Sequence, residues 1–322
     1  MGRRQVGELL FLLLSLFSLS SFAQTPNANC SKAALFFKPD TLEITTFGAS
    51  TVQGFSPTRN FQDPLKKHLQ NCYSNKVVTV SNFGVAGEST FKGLLRIDNA
   101  LAAAKGGFVM ILMGSNDVPL IVNRQSTVEK TRDNMRIILQ KCKDRKLYPI
   151  LGTIQYFRDD NSKANQRANF IVNQINIAYK NLAKEMDVPV VDINALFGKN
   201  FQLYADYVHP NSRGYYVMSL AWFDALNNVI ESKFLGNYVS QNYPNPSQNG
   251  STRINYTVPS PGKLLISLYN MNGKFVRTLY DDYQNSGYYE KDLDLSALPS
   301  GIYIYIFQLG SYRKSQKIII GN

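Results

Sequence analysis

One serine, one aspartate and one histidine in this sequence are placed where they could cooperate in nucleophilic catalysis. Ser50 lies in FGASTVQG, directly after an apolar run, and Asp206 lies three residues before His209 in YADYVHPNSRGYY. A serine hydroxyl is a weak nucleophile until a base takes its proton. A carboxylate that holds Nδ1 of an imidazole leaves Nε2 free to act as that base. We therefore predict a triad of Ser50, His209 and Asp206.

Two observations weaken this prediction when each motif is taken alone. The nucleophile-elbow pattern G-x-S-x-G requires glycine at position 52, where this chain has Val52. An aspartate three residues before a histidine is also common in turns that have no catalytic role. The chain has one other histidine, His68, which lies in the helical pattern DPLKKHLQNC and is expected to be a surface or packing residue.

Two further segments offer hydrogen-bond donors for an oxyanion. Gly87, in NFGVAGEST, follows a second apolar run and lets the backbone turn an N–H outward. Asn116, in MGSNDV, follows a third run and carries a neutral side-chain amide. Glycine turns and asparagine caps also end many strands without any chemical role. The succession of serine, glycine, asparagine and aspartate–histidine at strand ends favours a catalytic site.

Alternating strand and helix patterns extend from about residue 41 to 232. Helical stretches separate five apolar, β-branched runs, which are LEITTF, VVTVSNF, GFVMILM, YPILGTI and VPVVDI. This alternation predicts a parallel sheet with helices on both faces and right-handed crossovers. Ligands of such sheets bind beyond the carboxyl ends of the strands, which is where Ser50 is expected.

The pattern changes after about Gly236. A turn-rich polar stretch, NYVSQNYPNPSQNGST, is interpreted as a linker. Short alternating runs follow it, separated by Pro-Gly, Asn-Gly and Ser-Gly turns, and they predict a small antiparallel β-sandwich. This part contains no histidine and no cysteine. We therefore expect the chemistry in the first part, and predict a catalytic domain over 24–235 and a β-sandwich domain over 236–322.

The amino terminus has the features of an export signal. Two arginines precede an apolar core that extends from Leu9 to about Leu19, and the small-residue site Ser21-Phe22-Ala23 follows. We predict a signal peptide over 1–23, because the apolar run is shorter than the roughly 20 residues that a membrane-spanning helix needs. No later segment qualifies as a transmembrane anchor, so the mature protein is expected outside the inner membrane.

Charge and cysteine content narrow the possible partners and cofactors. The formal net charge is +12, but the basic residues are scattered, which argues against nucleic-acid binding. Three cysteines are too few and too widely spaced for a zinc site. An exported protein favours one disulfide, for which Cys30 and Cys72 are our choice because Cys142 lies in a basic helical segment.

Four short segments together resemble the motif blocks of the SGNH, or GDSL-type, hydrolases. The segments are Gly48-Ala49-Ser50, Gly87 in AGEST, Gly114-Ser115-Asn116-Asp117 and Asp206-Tyr207-Val208-His209. The resemblance implies a flavodoxin-like three-layer α/β/α fold and serine ester hydrolysis. It implies Ser50 as nucleophile, His209 as base, Asp206 as its orienting acid, and an oxyanion hole made by the N–H groups of Ser50 and Gly87 and the amide of Asn116. Metal ions and cofactors are not needed.

One position departs from that family. The family usually has aspartate before the serine, whereas this chain has Ala49. The hydrogen bonds of that carboxylate must be absent here, or supplied by Thr51 or another neighbour.

The last 80 or so residues are similar to the C-terminal sorting domain of proteins exported by the type IX secretion system of Bacteroidetes. The resemblance implies export across the outer membrane, with release from the cell or attachment to its surface.

The favoured function is an exported carboxylic ester hydrolase that acts on acetylated glycans or small acyl esters. Two alternatives stay open at this point. One is a non-catalytic surface protein that binds carbohydrate, and the other is an acyltransferase that uses the same residues. Phe55, Tyr156, Phe157 and Tyr207 lie near predicted strand ends and are interpreted as lining for an acyl or sugar pocket.

Overall fold

Five parallel strands form the sheet that carries the predicted site residues. A computed structural model describes residues 30–56, 59–104, 107–158 and 162–321, so the predicted signal peptide lies outside the described residues. The sheet order is β2-β1-β3-β4-β5. The strands are β1 Thr41–Gly48, β2 Val77–Gly84, β3 Phe108–Leu112, β4 Tyr148–Gly152 and β5 Val190–Val191. The predicted strands are confirmed, and the order is that of flavodoxin-like sheets.

Long amphipathic helices cover both faces of this sheet. They are α3 Gln62–Cys72, α4 Thr90–Ala103, α6 Val128–Asp144, α7 Lys163–Glu185 and α9 Ser212–Phe234. Helix α3 packs against α9, whereas α4, α6 and α7 pack side by side. Right-handed crossovers place these two groups on opposite faces of the sheet, which gives the predicted three layers.

Several short elements are absent from the sequence-based prediction. They are α1 Ala33–Phe36, α2 Ser50–Gln53, α5 Asp117–Val122, α8 Ile193–Phe197 and a 3-10 turn at Phe201–Leu203. None is long enough to show a helical hydrophobic period. Three of them lie at the carboxyl side of the sheet, because α2, α5 and α8 directly follow β1, β3 and β5.

The second part of the chain is all-β. Its strands are β6 Tyr238–Val239, β7 Tyr243–Gln248, β8 Ser251–Val258, β9 Gly262–Asn270, β10 Phe275–Gln284, β11 Gly287–Asp294, β12 Gly301–Leu309 and β13 Tyr312–Ile320. The path β10-β9-β12-β13-β7-β8-β11 is antiparallel except for a parallel contact between β7 and β13, and β6 pairs with β8. The predicted all-β fold is confirmed, and it differs from a purely antiparallel arrangement by the parallel contact of β7 with β13.

The stretch interpreted as a linker contains β6 and β7, so that interpretation was wrong in part. Strand β7 pairs with β8 only at its two ends, Tyr243 with Arg253 and Gln248 with Ser251. Pro244 and Pro246 lie between these pairs, where the register is interrupted. Proline has no N–H for a ladder, so it is tolerated at such an interruption, and the composition alone hides the strand.

The two parts bury separate hydrophobic cores. The first core extends from Ala33 to Ile230 along the chain, and the second from Val239 to Ile320. Among the described residues, contacts between them include Tyr288 packed against the first core, the Lys32 ammonium 4.7 Å from the centre of the Tyr288 ring, and the Lys38 ammonium 4.8 Å from that of Tyr238. The domain limit between residues 235 and 236 stays a prediction that this separation supports.

The predicted disulfide between Cys30 and Cys72 is present, and it joins the start of the described chain to the end of α3. Cys142 is free and buried in the first core. Burial raises the pKa of the Cys142 thiol to about 12. Within the described ranges, we find no helix whose length and apolarity would let it cross a membrane.

These three cysteines give a thiol-labelling prediction. We expect iodoacetamide at pH 8 to modify no cysteine of the folded oxidised protein, because Cys142 is buried and its reactive thiolate is rare at that pH. Denaturant without reductant should expose one reactive thiol, and denaturant with reductant all three, counted by intact-protein mass. Labelling of Cys142 in the folded protein, or of three cysteines without reductant, would contradict this arrangement.

Candidate active site

Ser50 lies in a tight turn at the carboxyl end of β1. A Cβ atom on Gly48 would lie 2.1 Å from the carbonyl oxygen of Leu112 in β3, so only glycine fits at this strand end. The carbonyl oxygen of Ala49 accepts the N–H of Val52 at 3.1 Å and that of Gln53 at 2.9 Å, which starts α2 with Ser50 as its first residue. The Ser50 N–H is therefore one of the helix-start donors that have no partner within the helix.

The structure brings Ser50, His209 and Asp206 into one hydrogen-bonded chain. Ser50 Oγ lies 2.8 Å from His209 Nε2. His209 Nδ1 lies 2.9 Å from Asp206 Oδ2 and 3.0 Å from Oδ1. Because an ionised carboxylate only accepts, Nδ1 must carry a proton and donate it. In a neutral imidazole, Nε2 then has a free lone pair that accepts the Ser50 hydroxyl proton.

Asp206 is held in the ionised state by its own turn. Burial acts to raise its pKa, but the N–H groups of His209 and Val208 and the imidazole all donate to the carboxylate, and together they lower the pKa below its ordinary value. The backbone N–H bonds to Asp206 Oδ1 measure 2.8 Å from His209 and 2.9 Å from Val208. These bonds orient the carboxylate toward the imidazole and keep it negative at neutral pH.

The loop that carries His209 is anchored on both sides. The Ala205 N–H donates to the His209 carbonyl at 2.8 Å. Asn211 accepts the Gly214 N–H at 3.0 Å and so caps α9, and its own amide donates to the Gln202 carbonyl at 2.7 Å. This cap holds His209 between α9 and the 3-10 turn.

Gly87 and Asn116 lie at the ends of the strands on either side of β1. Gly87 follows β2 with φ of +75°, a conformation that favours glycine. In the described part of the chain, its N–H has no hydrogen-bond acceptor. The Asn116 side chain donates one N–H to the Glu88 carbonyl at 3.0 Å and lines the cavity beside Ser50. Its second N–H is left for a ligand in that cavity.

Arg96 supports the Gly87 loop, and the sequence analysis missed it. Its guanidinium donates to the carbonyls at the ends of two strands, Phe83 O at 3.0 Å and Gly48 O at 3.3 Å. It also forms an ion pair with Glu88 at 2.7 Å. The planar fork thereby ties β1, β2 and the Gly87 loop together. A lone arginine within a helix gave no sequence signal of this role.

Asp117 is a supporting residue next to Asn116. Burial raises its pKa even though Thr90 donates to it through its N–H at 2.8 Å and its hydroxyl at 2.6 Å, and Thr131 donates at 3.2 Å. These bonds join the starts of α4 and α5 to α6. Asn116 is therefore held from one side by Asp117 and from the other by Glu88.

Gln155 links the serine turn to the histidine loop, and it too was missed. The side chain is fully buried three residues after β4. Its Nε2 donates to the Val208 carbonyl at 2.8 Å and to Thr51 Oγ1 at 3.3 Å. Thr51 thus accepts a hydrogen bond in the turn where Ala49 offers none. The only available sequence signal was that Gln155 lies just after a strand, as Gly87 and Asn116 do.

An apolar cavity of about 350 Å³ opens beside Ser50. Its lining includes Val118, Pro119 and Val122 of α5 and the aromatic residues Phe157 and Tyr207. The Phe157 and Tyr207 rings pack edge to face, with 5.2 Å between their centres. Phe55 packs edge-on against His209 at 4.7 Å. We call this the acyl cavity, because its lining suits an apolar group attached to a carbonyl that Ser50 could attack.

His68 lies away from this site. It packs on α9, with its ring centre 5.6 Å from that of Tyr216 and 5.9 Å from that of Phe223. Burial and the neighbouring Lys67 ammonium lower its pKa. It is therefore the packing residue that the sequence predicts.

The chain matches two family models that together cover most of its length. The GDSL-like lipase/acylhydrolase family matches residues 46–217, and the secretion system C-terminal sorting domain matches residues 241–321. None of the curated proteins matches this chain.

Solved structures of the same fold cover the first part. The acetylxylan esterase Axe2 from Geobacillus stearothermophilus has a TM-score of 0.50 at 20% identity, over 57% of this chain and 94% of its own. A protein of Parabacteroides merdae described as a GDSL-like lipase has a TM-score of 0.53 at 17% identity, over 62% and 99%. At these identities the likeness establishes the fold. The chain belongs to the GDSL-like lipase/acylhydrolase family and carries a C-terminal sorting domain for secretion.

Proposed function

We propose that this protein is an exported serine hydrolase of carboxylic esters. The observation that carries the proposal is the continuous hydrogen-bonded chain from Ser50 Oγ through the imidazole of His209 to Asp206. This arrangement ends at an open cavity and contains a nucleophile, a base and an orienting carboxylate. Family membership favours ester hydrolysis over other reactions of such a triad.

In the proposed reaction, Ser50 Oγ attacks the ester carbonyl carbon while His209 Nε2 takes the hydroxyl proton. The N–H groups of Ser50 and Gly87 and the free amide N–H of Asn116 stabilise the negative oxygen of the tetrahedral intermediate. The intermediate collapses to an acyl-Ser50 ester, and the departing alcohol takes the proton from His209. Water then loses a proton to His209 and attacks the acyl carbon to form a second tetrahedral intermediate. When this intermediate collapses, the bond from the acyl carbon to Ser50 Oγ breaks, His209 returns the proton to Ser50 Oγ, and the carboxylic acid leaves.

The proposed substrate is an acylated glycan. A water molecule takes up about 30 Å³ in the liquid, so the acyl cavity of about 350 Å³ has room for an acetyl group and for longer chains. The acetylxylan esterase shares the fold, and export is consistent with a polymeric substrate outside the cell. Together these points favour acetyl or short acyl esters of a polysaccharide.

We further propose that residues 1–23 direct passage through the inner membrane and that the sorting domain directs type IX secretion, as in Bacteroidetes. The match over 241–321 supports the second step. The protein would then act at the cell surface or in the medium.

The triad is tested by single and double substitutions. We expect Ser50→Ala and His209→Ala each to lower kcat for p-nitrophenyl acetate by at least about 10³-fold, because each removes a member of one proton-transfer unit. The double variant should be scarcely slower than either single variant. His68→Ala is the matched control and should keep full activity. Labelling of Ser50 by a fluorophosphonate probe reports the nucleophile directly.

Two results would contradict the triad. One is loss of turnover in His68→Ala with His209→Ala active. The other is a folded wild-type protein that neither hydrolyses esters nor reacts with the probe, which would favour a non-catalytic binding protein.

Gln155→Leu tests the link between the serine turn and the histidine loop. We expect kcat/KM for p-nitrophenyl acetate to fall by roughly 10- to 100-fold, since small displacements of reacting groups cost about that much. The rate of fluorophosphonate labelling should fall by the same factor. Asn227→Leu is the control, because Asn227 is also a buried amide but accepts from Tyr73 in the α3–α9 packing. It should lower the melting temperature without changing kcat/KM of the folded protein. Equal kcat/KM in both variants would remove the positioning role of Gln155.

Truncation after Gly236 tests whether the first part of the chain suffices for catalysis and the β domain for sorting. We expect the shortened chain to keep its esterase activity in vitro, because all proposed catalytic residues and the first core precede that residue. In its native host it should remain in the periplasm, because the sorting domain is gone. A folded but inactive truncated protein would show that the β domain helps to form the site. Its appearance in the medium would remove the sorting role.

A further inference from the structure

A second cavity lies beside α7 and has a different lining from the acyl cavity. Its volume is about 320 Å³. Its walls include Tyr156, Asn169, Phe170, Asn173, Lys199 and Phe201. We call it the amide–aromatic cavity after the side chains that dominate it. None of these residues belongs to the proposed catalytic set, so the cavity requires its own explanation.

The two cavities share a dividing wall. Ala164, Asn165 and Ala168 of α7 line the acyl cavity, whereas Asn169, Phe170 and Asn173 of the same helix line the amide–aromatic cavity. Residues 164, 165 and 168 form one face of the helix, and 169, 170 and 173 form the adjacent face.

The segment after β4 completes this wall. Phe157 lines the acyl cavity, and the preceding Tyr156 lines the amide–aromatic cavity. The Asn169 side chain fixes this segment, because it accepts the Phe157 N–H at 2.8 Å and donates to the Phe157 carbonyl at 2.9 Å. A ligand in the amide–aromatic cavity is therefore adjacent to a group held at Ser50.

The lining of the amide–aromatic cavity suits a sugar ring better than an acyl chain. The side-chain amide of Asn173 offers both donors and an acceptor, and the Lys199 ammonium offers donors, as the hydroxyl groups of a sugar require. The Phe170 ring is 60% exposed and provides an apolar face for the C–H groups of a sugar. An acyl chain in this place would cover the amide and the ammonium without pairing them, which is unfavourable.

We propose that the amide–aromatic cavity binds one sugar ring of the glycan whose ester group enters the acyl cavity. The proposal rests on the proposed ester hydrolysis, and it assigns the part of the substrate that does not react. The volume lies at the lower end of the range of about 300–1,000 Å³ for small-molecule sites, which fits one ring of an oligosaccharide.

Kinetics on two substrates test this subsite in the full-length chain. We expect Phe170→Ala and Asn173→Ala each to lower kcat/KM for acetylated xylo-oligosaccharides by roughly 10-fold, the effect of losing about 1.4 kcal/mol of contact energy. Turnover of p-nitrophenyl acetate, which has no sugar ring, should be unchanged. Ile177→Ala and Asn181→Ala are matched controls, because both residues are exposed on α7 and lie outside the lining. They should change neither substrate's turnover.

Binding measured without hydrolysis separates this proposal from the proposed function. In the Ser50→Ala protein, calorimetry with unacetylated hexasaccharides of xylan, mannan, cellulose and chitin should detect at least one ligand. Adding Phe170→Ala should weaken that binding by roughly 10-fold.

The outcomes distinguish the two proposals. Glycan binding that depends on Phe170, in a wild-type protein without esterase activity, would support the subsite and refute the hydrolase. The subsite would be refuted, and the hydrolase kept, if the wild-type protein were active but none of the four hexasaccharides bound to the Ser50→Ala protein. The subsite would also be refuted if Phe170→Ala and Asn173→Ala lowered turnover of acetylated xylo-oligosaccharides and of p-nitrophenyl acetate equally.

Discussion

The close approach of β1 to β3 at Gly48 is the constraint on which the rest of the site depends. There is no space for a side chain between Gly48 and the Leu112 carbonyl, so the chain must leave the sheet there and turn immediately into α2. Ser50 is then half-buried at the point where the chain order of the strands reverses, between β2 on one side and β3 on the other. Gly87 follows β2 and Asn116 follows β3 by only a few residues, and Asn116 lines the same cavity as Ser50.

His209 follows a strand that is distant from β1 in the sheet. Strand β5 lies at the far edge of the sheet, with β4 between it and β3, so His209 must be carried back across the end of β4. Gln155 occupies that end and binds the Val208 carbonyl and the Thr51 hydroxyl from one amide nitrogen. No proposed catalytic group follows β4, but Gln155 after β4 links the turn that carries Ser50 to the loop that carries His209.

Long periodic elements and strand-end residues could be predicted from the sequence. The strand and helix patterns are predicted to end at about residue 232, and α9 ends at Phe234, because its apolar face and the cap at Asn211 are both local signals. Arg96 and Gln155 could not be predicted, because their contacts are with backbone carbonyls of distant segments and carry no pattern in the chain. Strand β7 was missed for the opposite reason, since its prolines are a strong local signal of a turn that tertiary pairing overrides.

Helix α7 lines both the acyl cavity and the amide–aromatic cavity, for which we propose different parts of one substrate. Small side chains at Ala164 and Ala168 leave room for the acyl cavity, whereas Asn169 and Phe170 point to the neighbouring cavity one helical step further round. Asn169 also fixes Phe157, the ring that closes the acyl cavity. If the two proposals hold, substitutions at Ala164 or Ala168 should alter acyl preference, and substitutions at Phe170 or Asn173 should alter sugar preference. Asn169 physically links the two cavities, because it lines one of them and bonds to the backbone of Phe157, which lines the other.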